Sequence, residues 1–380
     1  MDNNEEFPKI YDISQFDGIL RSKKEVKMKK EIVDGVEVGI ISYAIQGKNT
    51  FNSALSRECR GITFNIKTGK VIARPFHKFF NVNENQFCLA EDIDFSKMIY
   101  VGDKIDGSMI MPALINGKLR FKSKKSFYSE VAVKAEKLWY DKYDKTAIGE
   151  GIKYKLKKGI TPLFEFVDND SPIVINYGEC DLIYLCSRDM ETGEYQYPDF
   201  KNIISNGYNR YDTLNFKKTK STKDFVDTVS KQEGIEGFVI SDGFNVYKSK
   251  TQWYMDRHRT LSKISFNAIV EFYATDTMDD VIADLVSFGY NDKVDFLKKY
   301  QNSFFTWILN EQERAETKLT ELKGKYKRTE LRIQIAQEPN ASVLFSMLDG
   351  KDYIALLKKQ MKVHFKEKNK GQTFFMGNSK

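Results

Sequence analysis

Glu236-Gly237-Phe238-Val239-Ile240 and, a few residues on, Val246-Tyr247-Lys248-Ser249-Lys250-Thr251-Gln252-Trp253-Tyr254 mark the place where the chain changes its periodicity. Before them, from about residue 35, short β-type runs at 40–45, 61–65, 118–122, 182–186 and 237–241 alternate with turn residues, and a helix is predicted over 130–143. After about residue 256 the apolar side chains recur every three or four positions instead. Val281, Ile282, Leu285 and Phe288 form one such set, Leu297, Tyr300, Phe304 and Ile308 a second, and Ala315, Leu319, Leu322 and Tyr326 a third. Pro339 is the only proline after Pro198, which suits a run of helices. The pattern predicts a mixed α+β domain over 1–255 followed by an all-helical domain over 256–380.

The chain has 380 residues, 41% hydrophobic and 30% charged, enough for two or three buried cores. No apolar run approaches the roughly eighteen residues that a membrane-spanning helix needs. Residues 1–10 are acidic and polar, without the basic flank and apolar stretch of a secretory leader, so a cytoplasmic location is expected. Four cysteines without paired spacing and only three histidines argue against zinc sites, disulfide frameworks and histidine-based proton transfer. Lysines and carboxylates must then carry any catalysis. Sixty basic against 53 acidic side chains leave a net charge of +7, a moderate pull on polyanions.

Lys104-Ile105-Asp106-Gly107 follows an apolar stretch at 98–101, which presents a lysine at a strand end with an acid and a permissive glycine behind it. A free lysine amine has a pKa of about 10.4, so a nucleophilic Lys104 requires burial or nearby cations that lower it. A turn with a solvated lysine is the alternative. In Lys118-Leu119-Arg120-Phe121-Lys122-Ser123-Lys124 the cations alternate with other residues, so a continuous strand would put all four on one face. Lys248 and Lys250 repeat that spacing. Water can solvate such faces, but a phosphate held between the lysines would explain both. Arg60 and Lys78 add cations beside aromatic rings suited to holding a base. Glu165, in Leu163-Phe164-Glu165-Phe166-Val167, and Glu236 are acids among apolar neighbours. They read either as half-exposed strand positions or as partners for a hard cation, since magnesium takes one or two carboxylates together with substrate oxygens. Taken together the set points to a nucleoside triphosphate with Mg2+.

In order along the chain, K-x-D-G at Lys104, F-E-F at Glu165, E-G-F-V-I at Glu236 and Y-K-S-K at Lys248 and Lys250 resemble the covalent nucleotidyltransferases. Within these they look most like the phage-type, ATP-dependent RNA ligases of tRNA repair. Glu58-Cys59-Arg60-Gly61-Ile62, Lys78-Phe79-Phe80-Asn81-Val82-Asn83-Glu84-Asn85, Lys122-Ser123-Lys124 and the stretch from Lys248 to Tyr254 add to the likeness, which runs from about Tyr43 to His258. Two positions depart from it: Ile105 stands where this group often has an acid, and Lys125 where it often has glycine.

The resemblance implies a nucleotidyltransferase domain of antiparallel sheets with flanking helices, and three displacements at phosphorus. Lys104 would take AMP from ATP, pass it to an RNA 5′-phosphate, and leave that activated end to be sealed by a 3′-hydroxyl. Such displacements need positive charge more than proton transfer, in keeping with many lysines and few histidines. Lys248 and Lys250 would contact the α-phosphate, Arg60 and Lys78 the outer phosphates, Glu165 the ribose hydroxyls and Glu236 a metal, with Asp279 a further candidate ligand. Tyr43 and Phe80 would hold the nucleotide; Asp106, Gly107, Lys122 and Lys124 belong to the implied site through their motifs; Tyr254 matches a position needed for ligation. The implied partners are ATP, Mg2+ and RNA, in particular tRNA with a broken anticodon loop, with no membrane and no obligate protein partner. A capping guanylyltransferase or a DNA ligase would be expected to continue into a β-rich domain rather than helices. A catalytically silent RNA-binding protein would not need all of these lysines and acids.

At the helical end Ile354, Leu357, Met361 and Phe365 predict an apolar seam, and residues 351–370 carry seven lysines against Asp352 and Glu367. The cationic face is expected either to grip the body of an RNA or to be a solvated surface.

Overall fold

The computed structural model describes residues 7–47, 49–86, 88–170, 172–198 and 218–368. The chain divides into two compact units, Met1–Asp256 and Arg257–Met376. In the first, a tight turn at Asp34 pairs β1 (Val26–Val33) with β2 (Val36–Tyr43), and β3 (Arg60–Asn65) and β4 (Val71–Ala73) extend them into a sheet of order β1-β2-β3-β4. The chain goes on through β5 (Phe80–Asn81), β6 (Tyr100–Asp103), β7 (Ser108–Ile115), β8 (Lys118–Lys122), β9 (Ile160–Val167), β10 (Asp181–Asp189), β11 (Tyr195–Gln196), β12 (Gly237–Ser241) and β13 (Val246–Lys250). These build a five-stranded sheet, β11-β10-β9-β7-β8, and a four-stranded one, β5-β13-β12-β6. Among the described pairings only the two-residue contact of β5 with β13 is parallel. The α+β class with antiparallel sheets, expected from the resemblance, is therefore what the chain adopts.

Period-2 alternation explains how these strands serve a core and a site at once. Phe238 and Ile240 of β12 are fully buried in a core with Val101 and Phe225, while Val239 points the other way and pairs with Lys248 of β13. Helices Glu130–Lys142 and Ala147–Lys157 cover the five-stranded sheet, with Trp139 fully buried against Phe121 and Phe164. The link Lys104 to Gly107 leaves β6 in one sheet and enters β7 in the next, so the K-x-D-G segment lies where the two sheets meet.

One expectation fails at β8. That strand ends at Lys122, so the alternation of cations stops there instead of running to Lys124. Arg120 is paired with Asp34 and Glu136, Lys122 is fully buried on main-chain carbonyls, and only Lys124, in the turn beyond, faces the site.

The second unit is helical throughout its described elements: Phe266–Ala274, Met278–Ser287, Asn291–Lys325, Arg328–Ala336, Ala341–Leu348 and Ile354–Lys368. The second apolar set and the third, except Tyr326, which caps the end in extended conformation, lie on one helix of 35 residues, because no proline interrupts it and its sole glycine, Gly324, stands at the very end. Leu285, Phe304, Ile335, Leu344 and Met361 are fully buried. Three lysines of the last helix form ion pairs: Lys358 meets Asp276, and Lys362 and Lys366 both meet Glu271. They fasten their helix to the one at 266–274 and its C-terminal turn. Among the described residues no helix is long and apolar enough to cross a membrane.

Candidate active site

β6 delivers Lys104 to the rim of a cavity of about 430 Å³ in the first unit. The Lys104 amide donates to the Gly237 carbonyl at 2.9 Å, which fixes the end of β6 against β12. Its ammonium donates to Glu236 Oε1 at 2.8 Å, and the same oxygen receives Lys250 Nζ at 2.9 Å. One buried carboxylate oxygen thus aligns two cations, while Lys250 also stands 4.9 Å above the Tyr254 ring. Gly107 has no alternative here. A Cβ on it would lie 2.4 Å from the Phe166 carbonyl oxygen, so only glycine lets the link pass against β9.

The cavity is lined by Lys104, Gly107, Glu165, Lys248, Arg60 and Lys124 among the residues singled out by sequence. Phe79 forms a floor for two of them, 5.4 Å from the Arg60 guanidinium and 5.6 Å from Lys248 Nζ. At the apolar side Tyr100 and Tyr197 stack with centroids 4.2 Å apart. Phosphates at one side and a flat base at the other would suit such a cavity.

Charge is unevenly balanced inside it. Burial pushes the Lys248 amine down to about 7, helped by Lys104, Lys78 and Arg60, and pushes Lys124 down to about 8, helped by Arg60 and Lys125. Burial likewise lifts Glu165 to about 8, against the pull of Lys104 and with the help of Glu236. Lys104 goes the other way. Burial would lower its pKa, yet Glu236 and Glu165 together raise it above the ordinary lysine value. The sequence suggested a lysine depressed by burial or cations, but the structure gives a charged ammonium because Glu236 and Glu165 outweigh burial.

Other expected residues stand outside the cavity wall. Asp106 is buried and engaged on every side: its Oδ2 accepts from the Val174 and Ile175 amides at 2.8 Å, its Oδ1 accepts from the Tyr254 hydroxyl at 2.7 Å, and its amide donates to Tyr177 Oη. Asp106 and Tyr254 therefore form one joint behind Lys104. Lys78 is caged by Phe80, Phe51 and Tyr43, at 4.9, 5.5 and 6.0 Å, and donates to Gln46, while Lys124 lies 4.1 Å over the Tyr43 ring. Lys122 donates to the Gly61 and Ser123 carbonyls. Asp279 belongs to the helical unit, where it accepts from Gln301.

Sequence reasoning passed over Phe79, Tyr100, Met109, Lys125 and Tyr197 as cavity residues. Phe79 and Lys125 were within quoted motifs and adjacent to chosen positions, and that adjacency was the available signal. It also passed over the support of Arg60: Glu58, two residues earlier, is fully buried between Arg74 and Arg188, each bound through two nitrogens at 2.7–3.2 Å.

Residues 58–254 match the RNA ligase family. A protein of Thermovibrio ammonificans assigned as an RNA ligase is 30% identical over 308 residues, 78% of either chain. RNA ligase 1 of bacteriophage TS2126 is 27% identical over 66% of this chain and 64% of its own length. Among solved structures, an Aquifex aeolicus protein assigned as an ATP-dependent DNA ligase aligns over 80% of this chain and 81% of its own, with 13% identity and a TM-score of 0.38. A Naegleria gruberi RNA ligase bound to AMP and manganese aligns over 67% and 85%, with 12% identity and a TM-score of 0.36; likenesses this weak add nothing to the assignment. The match to the family over half the chain, and a relative alike over most of both chains, decide it: this chain belongs to the phage-type RNA ligases of the nucleotidyltransferase superfamily and is an ATP-dependent RNA ligase.

Proposed function

We propose that the protein joins 5′-phosphate to 3′-hydroxyl RNA ends through a lysyl-AMP on Lys104, and that its physiological substrate is tRNA broken in the anticodon loop. The observation that carries this reading is the shared Glu236 oxygen, which holds Lys104 and Lys250 side by side at the rim of a cavity lined by Lys248, Arg60 and Lys124. Lys104 would thereby be aimed at phosphates held among these cations.

The chemistry follows from that layout. Lys104 Nζ gives up a proton, for which Glu236 is within reach, and attacks the α-phosphorus of ATP; a P–N bond forms as the P–O bond to pyrophosphate breaks. Lys248 and Lys250 offset the charge that builds on the α-phosphate oxygens, and Arg60 and Lys124 that of the outer phosphates. An RNA 5′-phosphate oxygen then takes the adenylyl group and returns the electron pair to Lys104, which regains a proton. Finally the 3′-hydroxyl attacks the activated 5′-phosphate and AMP leaves.

Glu165, which lines the cavity and is lifted to about 8 chiefly by burial, and Glu236, which bonds Lys104 beside it, suit a hard divalent cation arriving with the triphosphate. Glu236 would hold it, with Glu165 at the ribose hydroxyls; Mg2+ would supply charge neutralisation on the phosphate oxygens. The decisive experiment is incubation with α-labelled ATP or GTP and Mg2+. Label from ATP should enter the protein as an acid-labile adduct mapped to Lys104 and vanish in Lys104→Ala. An adduct on another lysine, or a preference for GTP, would overturn the assignment. Sealing of a nicked anticodon stem-loop in preference to an unstructured RNA of equal length tests the tRNA role.

A further inference from the structure

The turn that follows β8 supplies four residues of the cavity wall, Ser123, Lys124, Lys125 and Ser129. A turn is an unreliable mount for catalytic charge unless something fixes it. Part of the fixing is local: the Ser123 amide donates to the Ser126 carbonyl at 2.9 Å, and Ser129 Oγ donates to Ser123 Oγ at 2.8 Å. Part comes from β3, where Lys122 Nζ holds the Gly61 carbonyl and the Lys124 main chain presses so close that a Cβ on Gly61 would meet its carbonyl oxygen at 2.5 Å.

The remaining hold comes from β1, which lies before the residues that match the family. Glu31 is 9% exposed, and both its oxygens are spent on this turn. Oε1 accepts from Ser126 Oγ at 2.5 Å and Oε2 from the Phe127 amide at 3.0 Å, while Lys29 Nζ, 2.7 Å away, keeps the carboxylate charged. Tyr128 adds a hydrogen bond to the Ile32 carbonyl one residue further along β1. Burial alone would make an acid here costly, and a carboxylate engaged in this way is more than a strand needs to pair with β2.

We propose that Glu31 is a positioning residue for nucleotide binding: by clamping Ser126 and Phe127 it sets where Lys124 and Lys125 stand over the cavity. This rests on the reading of the cavity as the ATP site. Glu31 touches no reacting atom and acts only through the turn. Lys125, which stands where the family resemblance anticipates glycine, makes the clamp more consequential, because two adjacent cations repel and need an external hold to stay together.

Glu31→Gln preserves volume and one acceptor but cannot satisfy both donors. The experiment measures lysyl-AMP formation against ATP concentration for the wild type, Glu31→Gln, Lys125→Ser and the double variant, with melting temperatures for all four. Glu31→Gln is expected to raise the KM for ATP about tenfold with the maximal rate little changed, and to raise it much less in the Lys125→Ser background, because the two act along one route. Ser126→Ala, which leaves the Glu31 charge in place, should share the higher KM. Equal effects of Glu31→Gln with and without Lys125, or an unchanged KM beside a lowered melting temperature, would make Glu31 a structural acid only. Failure of the ATP-site reading looks different, since then the wild type itself would form no adduct on Lys104.

Discussion

Gly107 and Lys248 both stand in strict surroundings. Gly107→Ala would drive a methyl against the Phe166 carbonyl oxygen at 2.4 Å; the expected cost is about 1–3 kcal/mol in chemical denaturation, together with loss of the AMP adduct. Lys248 allows a prediction in pH. Its amine titrates near 7, chiefly because it is buried, so above that pH it has mostly lost its charge. If the proposed site holds, phosphate binds the ammonium, and binding must therefore draw in a proton. ATP affinity should fall as pH rises from about 7 to about 9, and calorimetry in buffers of different ionisation heat should register the uptake. Affinity that is flat across this range would contradict the burial of Lys248. Glu58 has the opposite sign. Although burial opposes it, Arg188 and Arg74 bring its pKa from 4.5 down to about 2, so its contribution to stability is complete above pH 4.5 and is lost as pH falls toward 2. Glu58→Gln should flatten that part of the acid-unfolding curve. The pairing of Lys248 with Lys250 could be read from alternation, and Lys104 from its neighbours in sequence. The charge state of Lys104 could not, because the sign depends on Glu165 and Glu236 arriving from β9 and the loop before β12.

Helix Ile354–Lys368 shows, at the level of an element, what a charge run in sequence leaves unsaid. Of its expected apolar seam Leu357 and Met361 are fully buried while Ile354 is exposed, and three of its lysines are matched by Asp276 and Glu271. The acids lie some 80 to 95 residues earlier, so no local count of charge could reveal them. Partly exposed pairs of this kind contribute up to about 1 kcal/mol each. Replacing Lys358, Lys362 and Lys366 by glutamine should lower the melting temperature by a few degrees and leave lysyl-AMP formation at wild-type level. Salt titration of RNA binding supplies a second reading. Each phosphate contact contributes about 0.7–0.9 log units of affinity per tenfold change in salt, and the slope should be the same for the triple variant. A shallower slope would mean that these lysines leave their acids to hold RNA. Strand and helix segments were legible where one period ran unbroken, as in β12, β13 and the 35-residue helix. The end of β8 was not, since a turn after Lys122 reverses the meaning of the next lysine.

Across the whole molecule, the residues that make the first unit work are drawn from remote parts of the chain. Tyr254 meets Asp106 over a separation of 148 residues, and Arg188 meets Glu58 over 130. Contacts so distant in sequence make folding slow, and none of them can form before both ends have left the ribosome. While the nascent chain grows beyond Lys104, the lysine waits without Glu236 or Lys250, and Glu58 waits without Arg188. The joint of Asp106 with Tyr254, and the pair of Lys104 with Glu236 before it, close only when synthesis has passed Tyr254. Slower translation or a cooler culture should therefore raise the active fraction of newly made protein, and a messenger cut short before that tyrosine should yield chains that chaperones and proteases take up rather than a smaller enzyme.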